Sequence, residues 1–282
     1  MIEVIHPGLY SSIQDSGRFG QQFLGVPISG AMDQIAMHWA NSLLNNPKDS
    51  AVLEMCFRGP KLLFHQSTAI ALAGAHMNAT LNGVKVQNLN AIEIKENDIL
   101  EFGNASKGTR TYMAVAGGIQ SPEILGSRSQ FKGITTDSRL NKFKLIPFAK
   151  VSFVPKKGAR LSIPKLDLKN LKITVYKGPD YDLLPFEAQN QLTKSVFTIS
   201  PKNSRMAYFL EQKLIHEIPS LWTTPVLPGT VQCTPDGTLM ILMRDAQTTG
   251  GYPRVLQVSD EGLNLLAQKS TRDSFQFHLR AV

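Results

Sequence analysis

Ala69-Ile70-Ala71-Leu72-Ala73-Gly74, then Ala79-Thr80-Leu81-Asn82-Gly83-Val84-Lys85-Val86, Ala91-Ile92-Glu93-Ile94 and Ile99-Leu100-Glu101-Phe102, decide the fold class of this 282-residue chain. Each is a short apolar or alternating run bounded by Gly, Asn or Asp, which is the pattern of strands joined by tight turns. Asn82-Gly83 is the strongest hairpin signal, because both residues accept the positive φ of a two-residue turn. Thr111-Tyr112-Met113-Ala114-Val115-Ala116-Gly117-Gly118 reads as a buried strand ending in a glycine turn. Leu239-Met240-Ile241-Leu242-Met243 reads as another, and Leu171-Lys172-Ile173-Thr174-Val175-Tyr176 opens an alternating strand. Short, evenly spaced strands predict a mainly β protein of closed or nearly closed barrels, which leave no exposed sheet edge.

One good helix interrupts the strands. Asp33 can cap a segment that places Ala36, Ala40, Leu43 and Leu44 on one face, and Asn45-Asn46-Pro47 ends it. Weaker helical signals cover Glu187 to Leu192 and Leu263 to Gln268. Around residues 141–170 the chain turns basic and is broken by Pro147, Pro155 and Pro164, which predicts two β-rich domains, 1–155 and 156–282.

Composition narrows the function classes. The chain can bury one large core or two ordinary ones. No apolar run reaches the roughly 18 residues of a membrane span, and the N-terminus reads as a strand start with no secretory leader. Cys56 and Cys233 have neither metal-ligand spacing nor a disulfide framework, so they read as buried thiols of a cytoplasmic protein. Much of the net charge of +8 lies at Lys142, Lys144, Lys150, Lys156, Lys157, Arg160, Lys165, Lys169 and Lys172, with few acids between them. Without stacking aromatics or a helix-turn-helix pattern, that charge points to a solvated surface or an acidic protein partner, not to nucleic acid.

Candidate chemistry lies in polar turns beside strands. Asp245-Ala246-Gln247-Thr248-Thr249-Gly250-Gly251-Tyr252-Pro253 follows the 239–243 strand, and its glycines could take positive φ, approach a partner closely and form an anion-holding nest. Gln14-Asp15-Ser16-Gly17-Arg18 and Ser29-Gly30-Ala31-Met32-Asp33 precede the helix, where Asp33 is either its cap or part of a site. Arg18 could grip a carboxylate or phosphate with two N–H groups, or form a local surface pair with Asp15. Gly126-Ser127-Arg128-Ser129, Asn203-Ser204-Arg205-Met206 and Pro228-Gly229-Thr230-Val231-Gln232 complete the set. No phosphate loop, dinucleotide fingerprint, serine elbow, histidine metal spacing or Met-Lys-Met biotin attachment point accompanies them. A site completed by a partner chain, with no metal, is the expectation.

Taken in order, several segments resemble one family. They are Gln14-Asp15-Ser16-Gly17-Arg18, Ser29-Gly30-Ala31-Met32-Asp33, Ala40-Asn41, Ala51-Val52-Leu53-Glu54, Gly59-Pro60-Lys61-Leu62, Ala116-Gly117-Gly118-Ile119, Leu125-Gly126-Ser127-Arg128-Ser129, Ser204-Arg205-Met206, Pro228-Gly229-Thr230-Val231-Gln232 and Gln247-Thr248-Thr249-Gly250-Gly251-Tyr252-Pro253. The family is that of the 5-oxoprolinase C-subunit, also described as allophanate hydrolase subunit 2, as biotin-dependent carboxyltransferase family protein and as the antagonist of a sporulation kinase inhibitor.

The resemblance implies two cyclophilin-like β-barrel domains and a kinase-inhibitor-like partner, the 5-oxoprolinase B-subunit. Together with the A-subunit, such a complex opens 5-oxoproline to glutamate at the expense of ATP. Urea carboxylase relatives instead use the module to receive carboxybiotin, and a regulatory binding role is a third reading. Three departures stand out. Phe131 to Ser138 replaces a glycine-rich stretch, Ala207 and Phe209 replace a glycine and an arginine after Arg205-Met206, and Ala246 replaces an arginine after Asp245. On the leading reading Arg18, Arg128 and the Thr248–Gly251 turn stabilise developing negative charge, and Gln14, Gln232 and Gln247 orient an amide. Ser29, Gly30, Asp33, Arg205 and Tyr252 complete the ligand contacts. Asp15 or Asp245 would move the proton.

Overall fold

The computed structural model describes residues 1–151 and 172–280. They form two compact units, one of residues 1–18 and 29–151 and the other of residues 19–28 and 172–280. The expected boundary at 155/156 lies outside the described residues, as do Lys156, Lys157, Arg160, Lys165 and Lys169 of the basic run. Among the described residues no helix is long and apolar enough to cross a membrane.

The first unit runs β1 (Ile2–His6), β2 (Tyr10–Gln14), α1 (Gln34–Ser42), β3 (Val52–Cys56), β4 (Lys61–Phe64), β5 (Thr68–His76), β6 (Thr80–Leu81), β7 (Val84–Lys85), β8 (Ala91–Ile94), β9 (Ile99–Glu101), β10 (Lys107–Val115) and β11 (Leu145–Ile146). Its strands divide between two sheets, β11-β1-β4-β9-β6-β7 and β2-β3-β10-β5-β8. Alternation along β5 explains the layering. Ile70 and Leu72 point into the core shared with Leu53, Met55 and Met113 and, from the other sheet, Ile2, Val4, Leu62 and Phe64. Ala69, Ala71 and Ala73 face the opposite way and join Ala36, Met37 and Ala40 of α1. Small residues on that face let the helix lie close to the sheet. The Asn82-Gly83 hairpin forms as expected, with φ of 50° and 82°.

Asp33 caps α1, accepting from the Ala36 N–H at 3.0 Å, a contact of about 1 kcal/mol. Asn45 takes φ of 55° at the far end, as the sequence requires.

The second unit runs β12 (Lys172–Lys177), α2 (Phe186–Lys194), β13 (Phe197–Asn203), β14 (Ala207–Lys213), β15 (Thr224–Pro225), β16 (Thr230–Cys233), β17 (Thr238–Leu242), β18 (Thr249–Gly250), β19 (Arg254–Val258), α3 (Asp260–Ala267) and β20 (Ser274–Leu279). Seven of these strands close into a barrel in the order β12-β19-β16-β17-β14-β13-β20. The parallel pairing of β12 with β20 completes the ring, so those strands have no free edge. The mainly β class holds in both units, and both weaker helix signals are real helices. Closure into one ring belongs to the second unit, because the first shares its strands between two facing sheets.

Candidate functional site

In the first unit the candidate residues converge on Asp15 at the end of β2. Its Oδ1 accepts from the hydroxyls of Ser127 (2.7 Å) and Ser129 (2.6 Å) and from the Gly17 N–H (2.9 Å), and its Oδ2 accepts from the Arg128 N–H at 2.6 Å. The loop thus gripped starts with the turn Ile124-Leu125-Gly126-Ser127, hydrogen-bonded in both directions between its ends. Leu125 and Gly126 both have positive φ, 53° and 76°, as a two-residue hairpin turn demands.

Arg18 is fully buried and donates from Nε to the Ile124 carbonyl (2.9 Å) and from Nη2 to the Ser129 carbonyl (2.8 Å). Gln14, also fully buried, donates to Ser12 Oγ and to the Gln130 carbonyl. Asp15 and Arg18 are therefore interior residues, and the alternative of a local surface pair is overturned. Arg128 donates to the Ser121 carbonyl through Nη1 and to Gln120 Oε1 through Nη2 at 3.3 Å.

Residues 29–33 are laid against this cluster. The Ala31 N–H donates to the Asp15 carbonyl (2.8 Å), the Met32 N–H to Glu54 Oε2 (2.8 Å) and the Asp33 N–H to the Tyr112 hydroxyl (2.8 Å). Gly30 is needed here. At φ of 89° it touches the backbone of Ser16 and Gly17, where an added Cβ would come within 2.9 Å. Ser29, at φ of 57°, is fully buried beside it. Burial, and then the charges of Glu54 and Asp33, push the Tyr112 phenol well above its ordinary value, so it stays a neutral hydroxyl.

The second unit assembles the remaining candidates. Arg205 and Asp245 form a two-pronged ion pair, Nε to Oδ2 at 2.7 Å and Nη2 to Oδ1 at 3.0 Å. Gln232, fully buried in β16, donates from Nε2 to the Tyr252 carbonyl (3.2 Å), while its Oε1 accepts from Gln247 Nε2 at 3.4 Å. The two amides therefore form a chain. Thr249 and Gly250 pair with Thr224 and Pro225, and the Val226 N–H donates to the Thr248 carbonyl. Tyr252 packs on an apolar floor with Val226, Met240 and Leu242.

The expected glycine nest is absent from this turn, since neither Gly250 nor Gly251 lies in the left-handed region. Strand pairing with Thr224 and Pro225 holds Gly250 extended. What Gly250 supplies is space, because a Cβ there would meet Gln232 Nε2 at 2.6 Å.

The structure thus gathers Gln14, Asp15, Arg18, Ser29, Gly30, Asp33 and Arg128 in one unit, and Arg205, Gln232, Asp245, Gln247 and the 248–252 turn in the other. Sequence reasoning passed over Ser127, Ser129 and Gln130 as individual groups, although the alternation Ser127-Arg128-Ser129 was visible. It also passed over Glu54 and Tyr112. A carboxylate inside the apolar run Val52-Leu53-Glu54-Met55-Cys56 is the signal that could have found the first of these. Both cysteines are buried, and burial pushes the Cys233 thiol up to about 12, which removes it as a nucleophile.

A fold of this kind, with two polar constellations on β-rich units, matches a family model described as carboxyltransferase domain, subdomain A and B, over residues 24–279. The chain belongs to that family. It is 30% identical to the C-subunit of 5-oxoprolinase from Escherichia coli over 282 residues, covering 95% of this chain and 87% of that protein. The crystal structure of K. lactis urea amidolyase superposes with a TM-score of 0.87 at 30% identity, over 98% of this chain and 18% of that one. The crystal structure of TTHA0988 gives a TM-score of 0.86 at 26% identity, again over 98% of this chain but only 55% of that one. The chain therefore spans about half, or less, of these longer structural relatives.

Proposed function

We propose that this chain is the C-subunit of a cytoplasmic ATP-dependent 5-oxoprolinase, opening the lactam of 5-oxoproline to glutamate together with the A- and B-subunits. The observation that carries this reading is the similarity to the Escherichia coli protein along nearly the full length of both chains. The part-buried amide chain from Gln247 through Gln232 to the Tyr252 carbonyl supports it, since paired amide donors and acceptors suit the N–H and C=O of a lactam.

ATP would supply the activation of the lactam oxygen as a phosphate ester. Among the described residues, the arginines of the Asp15 cluster do not suit a triphosphate: Arg18 and Arg128 spend N–H groups on the carbonyls of Ile124, Ser129 and Ser121. Nucleotide handling is therefore assigned to the partners. The role of Asp15 is to position the Arg128 loop, because its four hydrogen bonds occupy both oxygens. Asp245 likewise positions Arg205.

The experiment is to purify the chain with its two partners and follow glutamate release from 5-oxoproline. Release that needs ATP and all three chains supports the reading, and equal release without this chain ends it. The likeness to urea amidolyase at a TM-score of 0.87 favours a second reading, carboxyl transfer from biotin. It requires a separate biotinylated chain, and bicarbonate-dependent carboxylation of an amide by the assembled proteins would select it.

A further inference from the structure

An open apolar groove of about 940 Å³ lies on the second unit, apart from the residues assigned above. One wall is the entry to α2, with Leu183, Pro185 and Glu187, and the other is the loop between β14 and β15, with Ile215, Glu217 and Leu221. Leu183 is 58% exposed and Ile215 88% exposed. Phe186 and Trp222, next in sequence to the two walls, are also exposed. Large apolar side chains gathered at one place on a surface mark contact with another molecule.

The loop is preformed. His216 donates from Nε2 to the Thr234 carbonyl at 2.9 Å and accepts the Ile218 N–H at Nδ1 at 3.1 Å, and Ile218 is buried. Further along, the Leu221 N–H donates to the Gly251 carbonyl at 2.8 Å, and Thr224 and Pro225 pair with Gly250 and Thr249. This wall is thus fastened to the 249–252 turn of the candidate site.

Polarity and charge select the occupant. Small-molecule sites aim a few convergent polar groups at their ligand. Here both ring nitrogens of His216 are spent on the protein, and the rest of the lining is apolar except for two carboxylates. Glu187 and Glu217 stand exposed, one on each wall, and no lysine or arginine lines the groove. Such carboxylates repel an anionic membrane surface and the phosphates of nucleic acid. Two copies of this chain, each with a net charge of +8, repel one another at long range. Apolar side chains flanked by basic ones fit both the walls and the rim.

We infer that this groove docks a segment of a partner polypeptide, seating its apolar side chains between Leu183 and Ile215 and setting its lysines or arginines against Glu187 and Glu217. Burial of apolar surface supplies the affinity. The two exposed carboxylates, screened by water, supply orientation and selectivity. Docking is independent of which of the two reactions above the assembly performs.

The test uses the full chain. Three labelled synthetic peptides share one sequence rich in leucine and phenylalanine and carry lysine, glutamine or glutamate at the same two positions. Affinity is read from fluorescence anisotropy. The lysine peptide should bind about tenfold more tightly than the glutamate peptide, because two attractions replace two repulsions. Glu187→Lys combined with Glu217→Lys should reverse that order. Ile215→Ser, at a position exposed enough to spare the fold, should weaken all three peptides about fivefold. Equal binding of the lysine and glutamate peptides, or no binding, overturns the inference. So does an Ile215-dependent dimer in sedimentation, which gives the groove to a second copy, or Ile215-dependent binding to phosphatidylserine vesicles, which gives it to a membrane. Absence of glutamate release from the assembled complex ends the proposed function and leaves the peptide result standing, and the reverse holds if the peptides fail.

Discussion

Arg205 clasps Asp245 through both its Nε and Nη2 atoms, at 2.7 and 3.0 Å, with the two side chains only 9% and 11% exposed. A second link, from the Asp245 N–H to the Arg205 carbonyl at 2.9 Å, ties the start of β14 to the turn after β17. Desolvating such a pair cancels much of its attraction, whereas removing one partner strands a buried charge. Asp245→Ala should cost about 3–5 kcal/mol by urea denaturation, and Arg205→Met a comparable amount. The double variant should lose much less than the sum. Additive losses would show that the two side chains are not coupled.

Asp15 should behave as the fastener of residues 124–130. It accepts from two hydroxyls and two backbone N–H groups, and an asparagine offers only one oxygen in their place. Asp15→Asn is expected to lower stability by about 3 kcal/mol, since several buried donors lose a charged acceptor together. It should also open the Arg128 loop to proteases. The check is limited proteolysis with the cut sites mapped by mass spectrometry. Cleavage no faster than in the wild type within 124–130 contradicts the fastening role.

Both constellations show what a sequence can and cannot disclose. Strand identity was legible because period-two patterns such as Ala69 to Ala73 report directly on which side chains are buried. The Asp33 cap and the Asn82-Gly83 turn were legible because they depend on residues a few positions apart. The three partners of Asp15 at Ser127, Arg128 and Ser129 were not, because they lie 112 to 114 positions away along the chain. Only folding decides that Arg18 turns inward to the carbonyls of that loop. The nest expected at Gly250-Gly251 failed for a related reason. Glycine has two uses, positive φ and close approach, and pairing with Thr224 and Pro225 selects the second.

That distinction makes Gly250 a sharp probe. In Gly250→Ala the new methyl would press on Gln232 Nε2 at 2.6 Å, and Gln232, fully buried, can yield only by leaving the Tyr252 carbonyl and Gln247. Overpacking of this kind costs about 1–3 kcal/mol. Activity of the assembled complex should fall about tenfold. Adding Gln232→Asn shortens the obstructing side chain by one methylene, so stability should recover while activity does not. Recovery of both would remove the amide chain from the catalytic argument.

Alkaline titration offers a test of the interior itself. Burial pushes the Cys233 thiol up to about 12, and burial with neighbouring Glu54 and Asp33 raises the Tyr112 phenol well above its ordinary value. An unfolded thiol titrates near ~8.5. Between that pH and about 12 the unfolded chain therefore binds fewer protons than the folded one, so stability falls as pH rises through this window. The contribution is complete below about pH 8 and is lost progressively above it, by at most about 1.4 kcal/mol per pH unit for one group. Cys233→Ala should flatten the fall in urea-denaturation stability between about pH 9 and pH 10, while Tyr112 keeps a share of the slope at higher pH. Wild-type and variant curves that run parallel across that interval would mean that Cys233 ionises in the folded protein as readily as in the unfolded chain, and that the barrel interior around β16 is open to water.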